Sequence, residues 1–290
     1  MKEAAFIEAL RKLPLHQASK GLEDDAAILE LGDETLIITH DMLVEGKHFL
    51  SSQDMADVAW KLVATNISDL AAKGAQPLGV LLGHMLGEDD ERFLEGLDDV
   101  LSHYGVPLLG GDTVSGGSPR AFGLTAIGKA THRPVPARSG ARNGDAIFVT
   151  GQLGAAMLGF EALRDGTDGD PMPYTNPMAR LIEGSDLAPL VTAMMDISDG
   201  LLLDAFRMAK ASEVSFAISS TQVPVAAPDR RDDCLRWGDD YELLFTMPDG
   251  TFPPVPATRI GTVEPSGFAP LFLDGEPLVN AEGLGYQHGE

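Results

Sequence analysis

Apolar and polar positions alternate in blocks that switch between a period of two and a period of about 3.6. LIIT at residues 36–39 predicts a strand, and residues 55–73 predict a long amphipathic helix whose Ala59, Val63 and Leu70 share a core-facing stripe and which Gly74 stops. A strand over 78–85, a helix over 88–104, a short strand over 106–109 and a strand over 121–130 follow. Prolines, glycines and arginines then break the pattern in THRPVPARSGARNGD, residues 131–145, a linker placing a domain boundary at 137/138. Beyond it, AIFVT (146–150) reads as a buried strand, with helices over 153–163, 178–183 and 201–211 and strands over 216–218 and 243–247. The expected fold class is α/β, in its mixed α+β form, with one domain over 1–137 and a second over 138–290.

Composition sharpens this. The 290 residues carry 21 Lys+Arg against 44 Asp+Glu, a formal net charge of −23, with 44% hydrophobic residues. That apolar fraction belongs to a globular chain, so the acid must lie on a folded surface or in a site. Such a field repels phosphates, which excludes nucleic acid and anionic membrane as partners; a phosphorylated substrate would need metal ions as intermediaries. Cys234 is the only cysteine, which rules out an internal disulfide framework and suits a cytoplasmic protein. MKEAAFIEALRKL at the start has helical spacing without the apolar run of a secretion signal, and no apolar run is long enough to span a bilayer.

Aspartates recur beside apolar runs: Asp24 and Asp25 in GLEDDAAI, Asp41 in LIITHD, Asp69 in NISDLAAKG, Asp112 in PLLGGD, Asp196 and Asp199 in MMDISDG. Backbone preference does not explain this, since aspartate is a weak helix and strand former. If the carboxylates converge they need compensation, because two charges 4 Å apart repel by about 4 kcal/mol at an effective dielectric of 20. An all-oxygen donor set points to Mg²⁺, Mn²⁺ or Ca²⁺. The competing reading, that each aspartate caps a helix or sits in a turn, fits Asp54 and Asp145 best. No P-loop or GxGxxG motif is present. TGQLGAA (150–156) is a strand, a glycine turn and a helix start, able to hold an anion on amide groups or simply to pack tightly. GGDTVSGG (110–117) would let backbone approach a nucleotide, or form a plain hairpin or loop.

In order along nearly the whole chain, GLEDDAAIL, ITHDMLVEGKHF, AWKLVATNISDLAAKGAQP, LLGGDTVSG, ARSGARNGDAIFVTGQLG, MDISDGLLLD and GDDYELLFT resemble the thiamine-monophosphate kinase family. Its superfamily also holds aminoimidazole ribonucleotide synthetase and selenophosphate synthetase. The resemblance implies an N-terminal α/β domain that dimerises through its sheet, a C-terminal α/β domain, ATP as co-substrate, several Mg²⁺ ions, and conversion of thiamine monophosphate to thiamine diphosphate. It implies metal ligation by Asp25, Thr39, His40, Asp41, Asp69, Asp112, Asp196 and Asp199. It implies nucleotide contacts from Gly111, Asp112, Arg138 and Ser198, and contacts to the thiamine phosphate from His48, Asp239 and Tyr286. Two departures bear on one metal site: His40 stands where the family usually has Thr or Ser, and Glu23 where it has glycine. Lys47 is expected to face solvent or the acceptor phosphate.

The implied chemistry needs no general base, because a phosphate monoester is already largely a dianion at pH 7. Its obstacle is electrostatic, and metals with a few cations remove it. Arg138 offers a planar fork for phosphate oxygens or an interdomain salt bridge. Trp237 and Tyr286 could stack on the cationic thiamine rings, with Asp239, Asp240 and Glu242 nearby, or Trp237 could pack in the core. Two other functions compete. One is an aminoimidazole-type enzyme of the same superfamily; a selenophosphate enzyme is disfavoured, since no cysteine lies near the N-terminus. The other is a noncatalytic acidic metal-binding protein, for which an EF-hand-like spacing is absent.

Overall fold

The computed structural model describes residues 3–287. After α1 (Glu3–Leu10), β1 (Ala27–Leu31) and β2 (Glu34–Val44) form a hairpin. Then come α2 (Met55–Ala72), β3 (Ala75–Leu86), α3 (Asp90–Tyr104), β4 (Leu108–Ser115) and β5 (Ala121–Ala130). The strands make a five-stranded sheet in the order β1-β2-β5-β3-β4, antiparallel except for β3 and β4, which α3 connects. GGDTVSGG is therefore neither hairpin nor loop: most of it continues β4. Its glycine has a packing reason, since a Cβ on Gly111 would lie 1.9 Å from the Leu82 carbonyl oxygen of β3.

The second domain holds β6 (Ala146–Thr150), α4 (Ala155–Asp165), α5 (Met172–Thr175), α6 (Leu181–Leu187), β7 (Ala193–Asp196), α7 (Leu201–Ala211), β8 (Ser215–Ile218), α8 (Arg231–Arg236), β9 (Leu243–Met247), β10 (Ala257–Glu264), β11 (Leu271–Leu273) and β12 (Glu276–Leu278). Its sheet runs β12-β11-β8-β10-β6-β9-β7, with β8 and β11 parallel. The helix expected over 178–183 begins later, at Leu181. Tertiary bonds hold the preceding residues extended: Trp60 Nε1 donates to the Pro177 carbonyl at 3.1 Å, and Ala179 N–H to the Tyr104 hydroxyl at 2.9 Å.

Helix α2 departs from its amphipathic reading. Asp54 caps it, accepting from Ala56 N–H at 2.9 Å, and Gly74 at φ +55° turns the chain away beyond its end. Between those ends it is buried nearly all round, because it lies between the two domains. Val58, Leu62 and Ile67 join Phe93 and Phe122 in the first core, while Ala72 packs with Phe148, Leu187 and Leu243 in a core of the second. At the crossing with α6, a Cβ on Gly184 would lie 2.0 Å from the Ala71 carbonyl oxygen, so only glycine permits the approach. The polar residues of α2 are consequently buried between domains, and they build the site.

Candidate active site

A cavity of about 620 Å³ opens between the domains. Strand β2 supplies one wall by alternation: Thr39 and Asp41 point toward α2, and His40 to the opposite face. One turn of α2 brings Ser68 and Asp69 to the floor, and β7 ends there with Asp196. Carboxylate oxygens of Asp25, Asp69 and Asp196 lie within 4.8 Å of one another. Asp41, Ser198 and Asp199 also line the cavity.

Neighbours position these residues. Thr39 Oγ1 donates to Asp69 Oδ2, Ser68 Oγ to Asp196 Oδ2 at 2.5 Å, and Asn66 Oδ1 accepts from Asp41 N–H at 3.0 Å. The loop between β7 and α7 is closed by buried Asp204, which accepts from the N–H groups of Ser198 and Asp199 at 3.2 and 3.1 Å. Arg207 then clamps Asp199 at 2.5 Å. Arg138 Nε donates to Asp25 Oδ1 at 2.5 Å, so in this structure the guanidinium makes the salt bridge between domains while still lining the cavity.

The electrostatics divide the cluster in two. Burial opposes the charge of Asp25, but Arg138 and Lys73 beside it outweigh that and hold its carboxyl below the usual range. Asp69 has no such cation: burial, with repulsion from Asp41, Asp196 and Asp25, pushes it well above. Burial with the charge of Asp25 moves Asp196 to about 8, and burial moves Asp41 to about 6. An unpaired acidic floor of this kind fits divalent cations. Oxygens bound to one Mg²⁺ at about 2.1 Å lie at most about 4.2 Å apart, so small rotations would close the set.

The other end of the cavity is aromatic and mixed in charge. Phe160, Tyr174, Trp237, Tyr241 and Tyr286 line it with Lys47, His48, Arg236 and Asp239. Trp237 is thus a cavity wall that also packs against Phe160, ring centroids 5.4 Å apart. The rings of His48 and Tyr286 meet edge-on at 6.4 Å. Exposed Lys47 lines the cavity beside them.

Three residues expected in the site lie outside it within one chain. His40 faces the outer side of the sheet, its Nδ1 2.9 Å from Thr125 Oγ1. Asp112 pairs with Gly83, Gly83 with Gly123, and Gly123 with Met42, so Asp112 shares the outer face with exposed Met42 and lies three strands, about 14 Å, from β2. Gly111 sits beside it on the same exposed strand. The anion expected on the amides of TGQLGAA is the protein's own: Asp240 accepts from Gly154 and Ala156 N–H at 2.8 and 3.3 Å. Glu242 is taken by Arg180 at 2.5 Å, which leaves Asp239 as the carboxylate of GDDYE that reaches the cavity.

Two further residues belong to the site: Lys61, which had no sequence signal of its own, and Lys73, whose i,i+4 spacing suggested a pair with Asp69 that the structure does not form. Lys61 and Lys73 of the α2 segment are fully buried and ion-paired to Asp239 and to Asp24 and Asp25. Only the observation that α2 is polar on a side that is nonetheless buried could have found them.

The chain is similar to known proteins over nearly its whole length. The family profile "AIR synthase related protein, N-terminal domain" matches residues 23–130, and its C-terminal counterpart matches 142–257. The thiamine-monophosphate kinase of Escherichia coli K12 is 36% identical over 92% of this chain and 91% of its own. This chain belongs to the thiamine-monophosphate kinase family. The Aquifex aeolicus member is 33% identical over 93% of both chains. A solved structure described as "AaThiL complexed with AMPPCP and TMP" superposes with a TM-score of 0.89, at 30% identity, covering 99% of this chain and 97% of that one. The two-domain, two-sheet architecture is that of this relative.

Proposed function

We propose that this protein transfers the γ-phosphoryl group of ATP to the phosphate of thiamine monophosphate, giving ADP and thiamine diphosphate. The observation that carries the reading is the cavity itself, in which a carboxylate cluster without enough cations adjoins an aromatic end on the same floor. The nearly full-length match to kinases of this substrate supports it.

Asp25, Asp41, Asp69, Asp196 and Asp199 would hold Mg²⁺, which when bound neutralises and aligns the phosphate oxygens of both substrates. The chain's residues do the rest. Thr39, Ser68 and Asn66 orient the carboxylates and backbone, Asp204 holds the Ser198–Asp199 turn, and Arg138 is placed to turn from Asp25 to a nucleotide phosphate. Lys47 and His48, which line the cavity, would contact the acceptor phosphate, while Trp237, Tyr286 and Asp239 suit a cationic ring system. The acceptor is already nucleophilic, so no side chain needs to remove a proton.

His40 stays out of this cluster as a side-chain ligand, since the sheet separates it from the cavity. Asp112 and Gly111 enter only from a second copy. The outer sheet face exposes Met42, Leu81 and Val114 beside Asp112, and β4 is an uncovered edge; a homodimer through this sheet would cover both. Incubation with ATP, Mg²⁺ and thiamine monophosphate tests the reading. Thiamine diphosphate formed alongside ADP supports it, and ADP without that product moves the acceptor elsewhere in the superfamily.

A further inference from the structure

Lys73 stands at the C-cap of α2, one turn after Asp69, where Gly74 turns the chain away. A lysine at a helix end is ordinarily a solvated residue lying over apolar surface. Here its side chain is 0% exposed and runs into the acidic end of the cavity. Its ammonium contacts Asp24 Oδ1 and lies 2.5 Å from Asp25 Oδ2; those side chains are 6% and 0% exposed. The Oδ2 atom of Asp25 has no other partner and faces the ammonium outside hydrogen-bond geometry, which marks the contact as charge against charge.

Among the described residues, five carboxylates crowd this region: Asp24, Asp25, Asp41, Asp69 and Asp196. Lys73 pairs with Asp24 and Asp25, and Arg138 with Asp25, whereas among the described residues no lysine or arginine forms an ion pair with the other three. An unpaired buried ammonium costs several kcal/mol, so its position here is sustained by those two carboxylates and not by packing.

We infer that Lys73 is an internal cation that takes the place of one divalent ion at the Asp24–Asp25 end of the cluster. This rests on the divalent-cation reading of the site. The ammonium delivers fixed charge at Asp24 and at Asp25 Oδ2, where an ion would otherwise bridge the two, and it leaves Asp25 Oδ1 with Asp41, Asp69 and Asp196 as the ion-binding side. Lys73 is a positioning residue: it touches neither nucleotide nor acceptor, and acts through Asp25.

Counting bound Mn²⁺ per chain tests this. The full-length protein, Lys73→Met and Lys73→Arg are titrated with Mn²⁺ at saturating AMPPCP and no thiamine monophosphate, free Mn²⁺ being read by electron paramagnetic resonance. Lys73→Met is expected to bind one ion more than the unaltered protein, and Lys73→Arg the same number. In EDTA the Met variant melts at lower temperature, and Mn²⁺ restores more of the loss than it adds to the unaltered protein. Equal counts in the unaltered and Met proteins overturn the inference, as does an extra ion in the Arg variant. Lys73→Gln makes the same comparison if the Met variant does not fold. Absence of bound Mn²⁺ from every protein would sink the divalent site as well, whereas failure of thiamine monophosphate as acceptor leaves the ion count untouched.

Discussion

Lys61 of the first domain donates to Asp239 of the second at 2.7 Å, its ammonium 3.7 Å above the Tyr174 ring and 3.2 Å from the His48 carbonyl oxygen. Tyr174 donates to the same carbonyl at 2.9 Å. One buried cation thus ties together three segments that line the aromatic end of the cavity. Asp239 needs the tie, since it holds a left-handed backbone at φ +64°. Lys61→Met should raise the KM for thiamine monophosphate about tenfold, equivalent to roughly 1.4 kcal/mol, while the KM for ATP changes little. Steady-state kinetics with each substrate varied reads this; equal effects on both would leave Lys61 a merely structural residue.

Asp69→Asn should abolish turnover, a loss of about a hundredfold or more, yet stabilise the metal-free protein. Asn reproduces the neutral form that burial already favours at this position. Melting curves in EDTA and in Mg²⁺ check it: the variant melts higher than the unaltered protein in EDTA and gains less from Mg²⁺.

The pH dependence of stability follows from the same carboxyls. Asp41, Asp204, Asp196 and Asp240 rise from 3.8 to about 6, 7, 8 and 8, burial being the main cause in each. Raised values mean that the folded state binds more protons than the unfolded chain, so this contribution is fully present below the unfolded value and is lost as pH rises through the folded ones. Metal-free protein should therefore lose this contribution between about pH 4 and pH 8, and Mg²⁺ should stabilise more at pH 8 than at pH 5. Denaturant titrations at the two pH values, with and without Mg²⁺, measure both slopes.

Gly184→Ala should destabilise by about 3 kcal/mol, because the new methyl meets the Ala71 carbonyl where α6 crosses α2. Moving α2 also moves Asp69, so activity should fall even below the melting temperature. A variant of normal Tm would show that the helices yield more readily than the backbone contact implies.

If Asp112 serves the site of a second copy, mixing inactive Asp112→Asn and Asp199→Asn proteins should restore roughly a quarter of the activity, since half of the dimers are mixed and each has one intact site. Were Asp112 to act in its own chain, every site in the mixture would lack one carboxylate and activity would stay at the level of the parents.

Much of the architecture was legible because it is local. β5, β6, α7 and β9 fall where apolar periodicity puts them, and Asp54 and Gly74 bracket α2 as cap and stop. β10 was not legible: ATRIGTVE carries an exposed Arg259 and a register shift before Gly261, which spoil its alternation. β11 and β12 are three residues each, too short for any period to show.

The chain of residues alone determined that aspartates end strands and interrupt an apolar helix; that β2 runs on past Asp41, with Thr39 and Asp41 on one face and His40 on the other, came from the structure. The chain also carried the family, because motifs kept in order need no coordinates. Which carboxylates meet was decided by tertiary structure. Sheet order set Asp112 three strands from Asp41 and on the opposite face, and burial of α2 between two domains turned two ordinary-looking lysines into fixed internal charges. Strand order and helix burial arise from contacts between residues far apart in sequence, and such contacts leave no period in it to read.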